Sequence, residues 1–180
     1  MNRVAVIGKS VIEYPMRHAE HEKFMREALA EAQKAAELGE VPVGAVLVVE
    51  GLIIARGHNQ KETLQEPTAH AEMVAIRQAA AELRRWRLSD ATLYCTLEPC
   101  PMCAGAMLQA RLGLLVYAAD DPKAGAAGSL LDLLRLPFMN HQVQVIRGVL
   151  SEEAQALMAK FFRDLRQDGY LDDSGRCRSG

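Results

Sequence analysis

Two short stretches hold most of the side chains able to do chemistry: His70-Ala71-Glu72 and Pro99-Cys100-Pro101-Met102-Cys103. An imidazole with two thiolates suits zinc better than magnesium or calcium. Three such ligands leave one corner of a tetrahedron open for water, and a carboxylate beside that water can move its protons. That is the outline of a hydrolytic site, not of a closed structural clip. Glu72 lies two positions from His70, and residues two apart do not share a helix face, so it borders the open corner better than it ligates. Two thiolates also offset the charge of a zinc ion and weaken it as a Lewis acid. Its water then needs a base to ionise, and Glu72 is the candidate.

Other readings of the cysteine pair are weaker. A redox dithiol belongs in a thioredoxin-like pattern, which is absent. A structural zinc site needs a fourth ligand, and Cys95 is the nearest candidate. It alternates with Leu93 and Leu97 on an expected strand, which makes it a small core hydrophobe. Cys177 stands in a polar Gly/Ser/Arg tail and reads as inert.

The elements that must position these residues follow from periodicity. Met25, Ala28, Leu29, Ala32, Ala35 and Ala36 fall at helical spacing over about residues 21–38. Val43 to Val49, the turn Glu50-Gly51 and Leu52 to Ala55 read as a β-hairpin. After a polar loop, Pro67-Thr68 opens a helix with Met73, Ile76, Ala80 and Leu83 on one face and His70 in its first turn. Ala91 to Leu97 is a third strand. Cys100 is placed at the N-cap of the next helix, with Pro101 at its first position, where no amide donor is needed. The helix's positive end favours thiolate there. Leu112 to Ala118 and Val143 to Val149 are two more strands, with a Gly/Ala-rich loop and a possible helix between them. Ser151 opens a last helix striped by Ala154, Leu157, Met158, Phe161 and Leu165. Hairpin first and helix–strand alternation afterwards imply an α/β fold, a mixed sheet covered by helices on both faces.

The chain has 180 residues, enough for one domain that buries roughly 70% of its unfolded surface. Residues 1–18 lie outside the core pattern and are expected to be a flexible extension, because Tyr14-Pro15-Met16 interrupts any regular element. Residues 19–180 form the single domain, ending in a polar tail. A net charge of −2 means that any nucleic acid must be met by a local basic patch. Four cysteines without a paired framework fit a reducing cytoplasm, and no apolar run has the length of a membrane span.

The His-x-Glu and Pro-Cys-x-x-Cys blocks resemble the signature of the zinc-dependent nucleobase deaminases. The flanks extend the likeness to the bacterial tRNA-specific adenosine deaminases from about His21 to Arg166. They include Glu40-Val41-Pro42-Val43-Gly44-Ala45-Val46, Thr96-Leu97-Glu98-Pro99-Cys100, Met102-Cys103-Ala104-Gly105-Ala106, Gly125-Ala126-Ala127-Gly128-Ser129, Met139-Asn140-His141 and Phe161-Phe162-Arg163. The resemblance implies a three-layer α/β/α, cytidine-deaminase-like fold with a five-stranded mixed sheet, and a homodimer. It implies one zinc per subunit on His70, Cys100 and Cys103, with Glu72 as proton carrier. The reaction implied is hydrolytic deamination of adenosine to inosine at the wobble position of an arginine tRNA anticodon. The resemblance also implies that Asn59 hydrogen-bonds the flipped base and that the backbone around Ala71 and Pro99 lines its pocket. Asp121 would meet the ribose of the preceding nucleotide and favour RNA through its 2′-hydroxyl; as a residue before Pro122 it reads equally as a turn former. Asp120 and Ala124 depart from the family pattern, which carries a basic residue and a threonine, and an added negative charge there weakens phosphate binding.

Arg84-Arg85-Trp86-Arg87 reads as a solvated helix end, with Trp86 packed under the sheet edge, or as an RNA footing. Arg163 and Arg166 with Phe162 or Phe161 are better placed for the anticodon loop, one phenylalanine in the core and the other free to stack on a base. Two other functions fit the zinc blocks: deamination of a free base or nucleoside such as guanine or cytosine, and an RNA-binding zinc module without turnover. Glu72 and the missing fourth ligand argue against the second.

Overall fold

The computed structural model describes residues 15–167. Its elements run α1 (Pro15–Glu37), β1 (Gly44–Val49), β2 (Leu52–His58), α2 (Lys61–Leu64), α3 (Ala71–Glu82), β3 (Ala91–Leu97), α4 (Pro101–Gln109), β4 (Leu114–Ala119), β5 (Gln144–Arg147) and α5 (Ser151–Gln167). The strands form one sheet in the order β2-β1-β3-β4-β5. β1 is antiparallel to β2 and β3, while β3, β4 and β5 run parallel, so the sheet is mixed and five-stranded, as expected.

Alternation along the strands makes the three layers. Ala45, Leu47, Leu93, Cys95, Leu115 and Tyr117 face one side and pack against Ala71, Ala75, Ile76 and Ala79 of α3 and Cys103, Ala104 and Met107 of α4. The intervening Val46, Val48, Tyr94, Val116 and Ala118 face the other side, under Phe24, Met25 and Ala28 of α1 and Ala154 of α5. Cys95 is a core residue, and burial pushes its thiol well up from the ordinary value. The hairpin turn puts both Glu50 (φ 50°) and Gly51 (φ 76°) in the left-handed region, the geometry that matches strand twist.

Gly44 and Gly57 set how closely helices approach. A Cβ on Gly44 would meet the backbone of Ala28 and Ala32 in α1, and one on Gly57 would meet the Ala71 carbonyl and the Ala75 nitrogen in α3. Both helices therefore lie directly on the hairpin, one on each face.

Several boundaries differ from expectation. α1 begins at Pro15, inside the segment read as an extension, because proline is compatible with a first helical position. Residues 1–14, the tail beyond 167 and Cys177 lie outside the described residues. The polar loop contains the single turn α2. No helix forms between β4 and β5; that stretch is a loop with one isolated bridge, Ala127 to Asp132. β5 is confined to four residues, although Val143 and Val149 beside it are buried. Trp86 is exposed, with the Arg87 guanidinium 4.1 Å from its ring centre, and does not pack under the sheet. Among the described residues, no helix is long and apolar enough to cross a membrane.

Candidate active site

The ends that carry chemistry meet at one edge of the sheet. β3 and β4 are parallel, so their C-terminal ends lie side by side, with Leu97 paired to Ala119 and the Glu98 amide donating to the Ala119 carbonyl at 2.8 Å. β1 is antiparallel to β3, which brings its start to the same edge, where the Gly44 amide donates to Thr96 Oγ1 at 3.1 Å. β2 ends opposite Gly44, so Asn59 emerges there too. The crevice beyond the carboxyl ends of parallel strands is the usual place for a ligand in such sheets.

Two helices start at this edge. His70 is the N-cap of α3, with extended φ and ψ of −74° and 151°, and so stands just before the first turn in which it was expected. Cys100 is the N-cap of α4, with Pro101 following. His70 Nδ1 lies 3.7 Å from Cys100 Sγ and 3.6 Å from Cys103 Sγ, and the two sulfurs are 3.7 Å apart. A tetrahedral zinc with bonds of about 2.3 Å to sulfur and about 2.0 Å to nitrogen has edges of about 3.5–3.8 Å, so the donor set fits that ion in number, chemistry and spacing. These three residues can hold a metal ion.

The electrostatics are those of a charged cluster under cover. The hydrogen bond between the two sulfurs holds Cys100 well below the ordinary thiol value and pushes Cys103 up. The His70 imidazole is raised, first by its hydrogen bond to Cys100. Glu72, in the first turn of α3, is only 3% exposed, and its carboxyl is pushed up to about 7, chiefly by burial. A carboxyl near neutrality can both accept and return a proton at working pH.

His70 and Cys100 border a cavity of about 180 Å³, walled also by Val41, Val43, Asn59, Lys61, Ala71, Glu72, Leu97, Glu98, Asp121 and Ala124. Of the residues named from sequence, the structure gathers His70, Glu72, Cys100, Cys103, Asn59, Ala71 and Asp121 at this place. Pro99 is not part of the wall; its neighbours Glu98 and Cys100 are, and its carbonyl accepts the Ala126 amide at 2.9 Å. Phe162 is also outside the cavity. It lines an adjoining hollow with Pro42, Asp120 and Leu97, the last shared with the cavity wall. Phe161 faces a groove against α1, and both rings are half-buried, so neither is a core residue. Their edge-to-face contact, 5.5 Å between centres, holds them together.

Three participants escaped the sequence reading. Glu40 is buried and accepts from Asn59 Nδ2 at 3.2 Å and from the Thr63 amide at 2.7 Å. Glu98 is buried behind residues 121–129. Lys61 stands exposed at the cavity rim on α2. Glu40 and Glu98 sit in apolar surroundings at strand ends, which was the available signal; Lys61 in a polar loop carried none.

The family profile of MafB19-like deaminases matches residues 19–166. A tRNA-specific adenosine deaminase of Bacillus subtilis (strain 168) is 54% identical over 146 residues, covering 81% of this chain and 91% of its own. A structure from a study of A-to-I editing by tRNA:A34 deaminases at the wobble position superposes with a TM-score of 0.73 at 45% identity, over 75% of this chain and 98% of that one. The guanine deaminase of Bacillus subtilis superposes less well, with a TM-score of 0.55 at 37% identity, over 78% and 92% of the two chains.

Proposed function

The chain belongs to the tRNA-specific adenosine deaminases, and we propose that it converts the wobble adenosine of a tRNA anticodon to inosine by adding water and releasing ammonia. The observation that carries the reading is the His70–Cys100–Cys103 triangle with buried Glu72 beside it, at the wall of a cavity with the room of about six waters. In the proposed mechanism His70, Cys100 and Cys103 would hold one zinc per subunit. When bound it supplies a Lewis acid that eases the ionisation of water.

Glu72 does the proton work. Its carboxylate takes a proton from the attacking water and delivers it to the ring nitrogen next to C6, then takes the proton of the new C6 hydroxyl and gives it to the departing amino group. The C6–N bond breaks as the C6–O bond is kept, so adenosine and water give inosine and ammonia. The burial of Glu72 beside His70, Cys100 and Cys103 supports this role. Asn59 orients the base. Glu40 accepts from its Nδ2 and so fixes which way the amide faces; one N–H and the carbonyl oxygen remain, a complement to N7 and the 6-amino group of adenine.

Asp121 would read the 2′-hydroxyl of the preceding nucleotide. Its Oδ1 accepts the Lys123 and Ala124 amides at 2.9 and 3.2 Å, the turn-forming role, while leaving its other oxygen to a ligand. Lys61, Lys123, Arg163 and Arg166, all exposed, would meet phosphates of the anticodon stem-loop, of an arginine tRNA by family resemblance. Phe162, beside the cavity, is better placed than Phe161 to stack on a neighbouring base. We place the enzyme in the cytoplasm as a homodimer, where its thiols stay reduced.

The deciding assay loads the protein with zinc and offers an anticodon stem-loop, free adenosine, cytidine and guanine, measuring inosine and ammonia. Inosine in the stem-loop is expected. Turnover of a free base alone would replace this reading with the free-base deaminase, and no turnover at full metal occupancy would favour an RNA-binding zinc module.

A further inference from the structure

One buried carboxylate organises the whole loop that carries Asp121. Glu98, 2% exposed, turns its carboxylate to residues 121–129. Its Oε2 accepts the Asp121 amide at 3.0 Å and the Ser129 hydroxyl; its Oε1 accepts the amides of Ala127 at 2.9 Å and Ser129 at 3.0 Å. The Ser129 hydroxyl also lies 2.9 Å from the Asp121 carbonyl, which in turn accepts the Gly125 amide at 2.9 Å. Gly125 has no room for a side chain, because a Cβ there would meet Glu98 Oε2 and Ser129 Oγ. The loop thus closes around the carboxylate with both of its ends, Asp121 and Ser129, bound to the same group.

This arrangement does something specific to the cavity. Residues 121–129 contain no helix and no strand of the sheet, so the loop's shape rests on hydrogen bonds: the four to Glu98, together with the Ala126 amide on the Pro99 carbonyl and the Leu133 amide on the Ala126 carbonyl. The Asp121 amide is held by Glu98 while its side chain turns back on Lys123 and Ala124, which leaves its carboxylate at the cavity wall. Glu98 itself belongs to the segment leading from β3 to Cys100. It therefore joins the position of the ribose-reading group to the position of the metal-binding block.

We infer that Glu98 is a positioning residue for substrate choice: by gripping residues 121–129 it sets the ribose preference that Asp121 expresses. This rests on the reading of Asp121 given above. A carboxylate is needed because four donors converge on two oxygens; an amide would turn an NH₂ toward at least one of them. Ser129 contributes one of the four bonds through its side chain and can be trimmed without touching the acid.

The test compares two zinc-loaded reactions: an all-ribose anticodon stem-loop, and the same stem-loop with 2′-deoxyribose only at the nucleotide before the target adenosine. The readout is the ratio of kcat/KM on the two, with zinc content measured alongside. Asp121→Asn should lower that ratio about tenfold, the scale of one hydrogen bond to a charged group. Glu98→Gln should lower it comparably with zinc stoichiometry unchanged, the double variant should add nothing further, and Ser129→Ala should give a smaller shift in the same direction. If Asp121→Asn moves the ratio while Glu98→Gln and Ser129→Ala reduce both reactions equally, Glu98 is only a structural support and the inference falls. If Asp121→Asn itself leaves the ratio unchanged, the reading of Asp121 falls and takes the inference with it, while inosine formation on the unmodified stem-loop still stands for the activity. Should Glu98→Gln fail to fold, Ser129→Ala decides alone.

Discussion

A carboxylate next to three candidate metal ligands can be a ligand, a base or a bystander, and the proposed mechanism makes Glu72 the base. His70, Cys100 and Cys103 close a triangle that leaves Glu72 out of the ligand set, yet Glu72 is buried beside it. Glu72→Gln should keep the fold and the metal and lower turnover by about 10²–10⁴-fold, the usual reach of general acid–base catalysis. Metal analysis together with inosine formation checks this; a near-normal rate would remove Glu72 from the chemistry. The same burial has a cost that appears when the metal is stripped. A carboxyl raised to about 7 binds its proton more tightly folded than unfolded, so its contribution to stability is complete below its ordinary value near 4.5 and is lost as pH rises through about 7. Metal-free protein should lose up to about 3 kcal/mol from this group between pH 4.5 and 7.5. Urea unfolding of the metal-free Glu72→Gln variant, run beside wild type, should lack that share of the decline. Two equal slopes would mean that Glu72 is not desolvated in the folded chain.

At the level of elements, the site depends on how closely α3 lies on β2, and one glycine sets that distance. A Cβ at Gly57 would strike the Ala71 carbonyl and come within 2.9 Å of the Ala75 nitrogen, both backbone atoms that cannot rotate away. Gly57→Ala should therefore push back the helix start that holds His70 and Glu72. We expect a loss of about 1–3 kcal/mol, typical of overpacking, and metal affinity at least ~10-fold weaker, read by thermal unfolding and competition with a chelator. Normal metal affinity with lowered stability would show that the strain is relieved elsewhere. Much of this frame was legible in sequence because it rests on local rules. Strand alternation around Leu93, Tyr94 and Cys95 sorted the two faces of the sheet, and Pro101 marked where α4 begins. The loop between β4 and β5 was not legible, since four of its donors converge on Glu98, more than twenty residues upstream, a long-range arrangement that no local propensity announces. Val143 reads as strand by its β-branching but is buried beside β5, not in its ladder. His70 reads as a first-turn residue because periodicity cannot distinguish an N-cap from the turn that follows it.

For the whole molecule, the same loop has a second face. Leu130, Leu131, Phe138 and Met139 are exposed, Phe138 at 77%, on the connection between the buried strand β4 and the edge strand β5. In the homodimer proposed above, a second copy of the chain would cover these apolar side chains. Leu130 follows directly on Ser129, which is bound to Glu98, and Leu131 donates its amide to the Gly125 carbonyl at 3.1 Å and accepts from Gly128 at 2.8 Å. Covering Leu130 and Leu131 would therefore brace the inner turn of residues 121–129 from outside, while Glu98 braces it from within. Association and substrate handling should then be linked. Phe138→Glu should convert a dimer into a monomer in sedimentation, since a carboxylate in an apolar interface is costly to desolvate. The monomer should bind the anticodon stem-loop less tightly, raising KM about tenfold, near 1.4 kcal/mol, with zinc content unchanged. A variant that still sediments as a dimer would put the interface elsewhere, and a monomer with unaltered KM would show that Glu98 alone is enough to hold the loop.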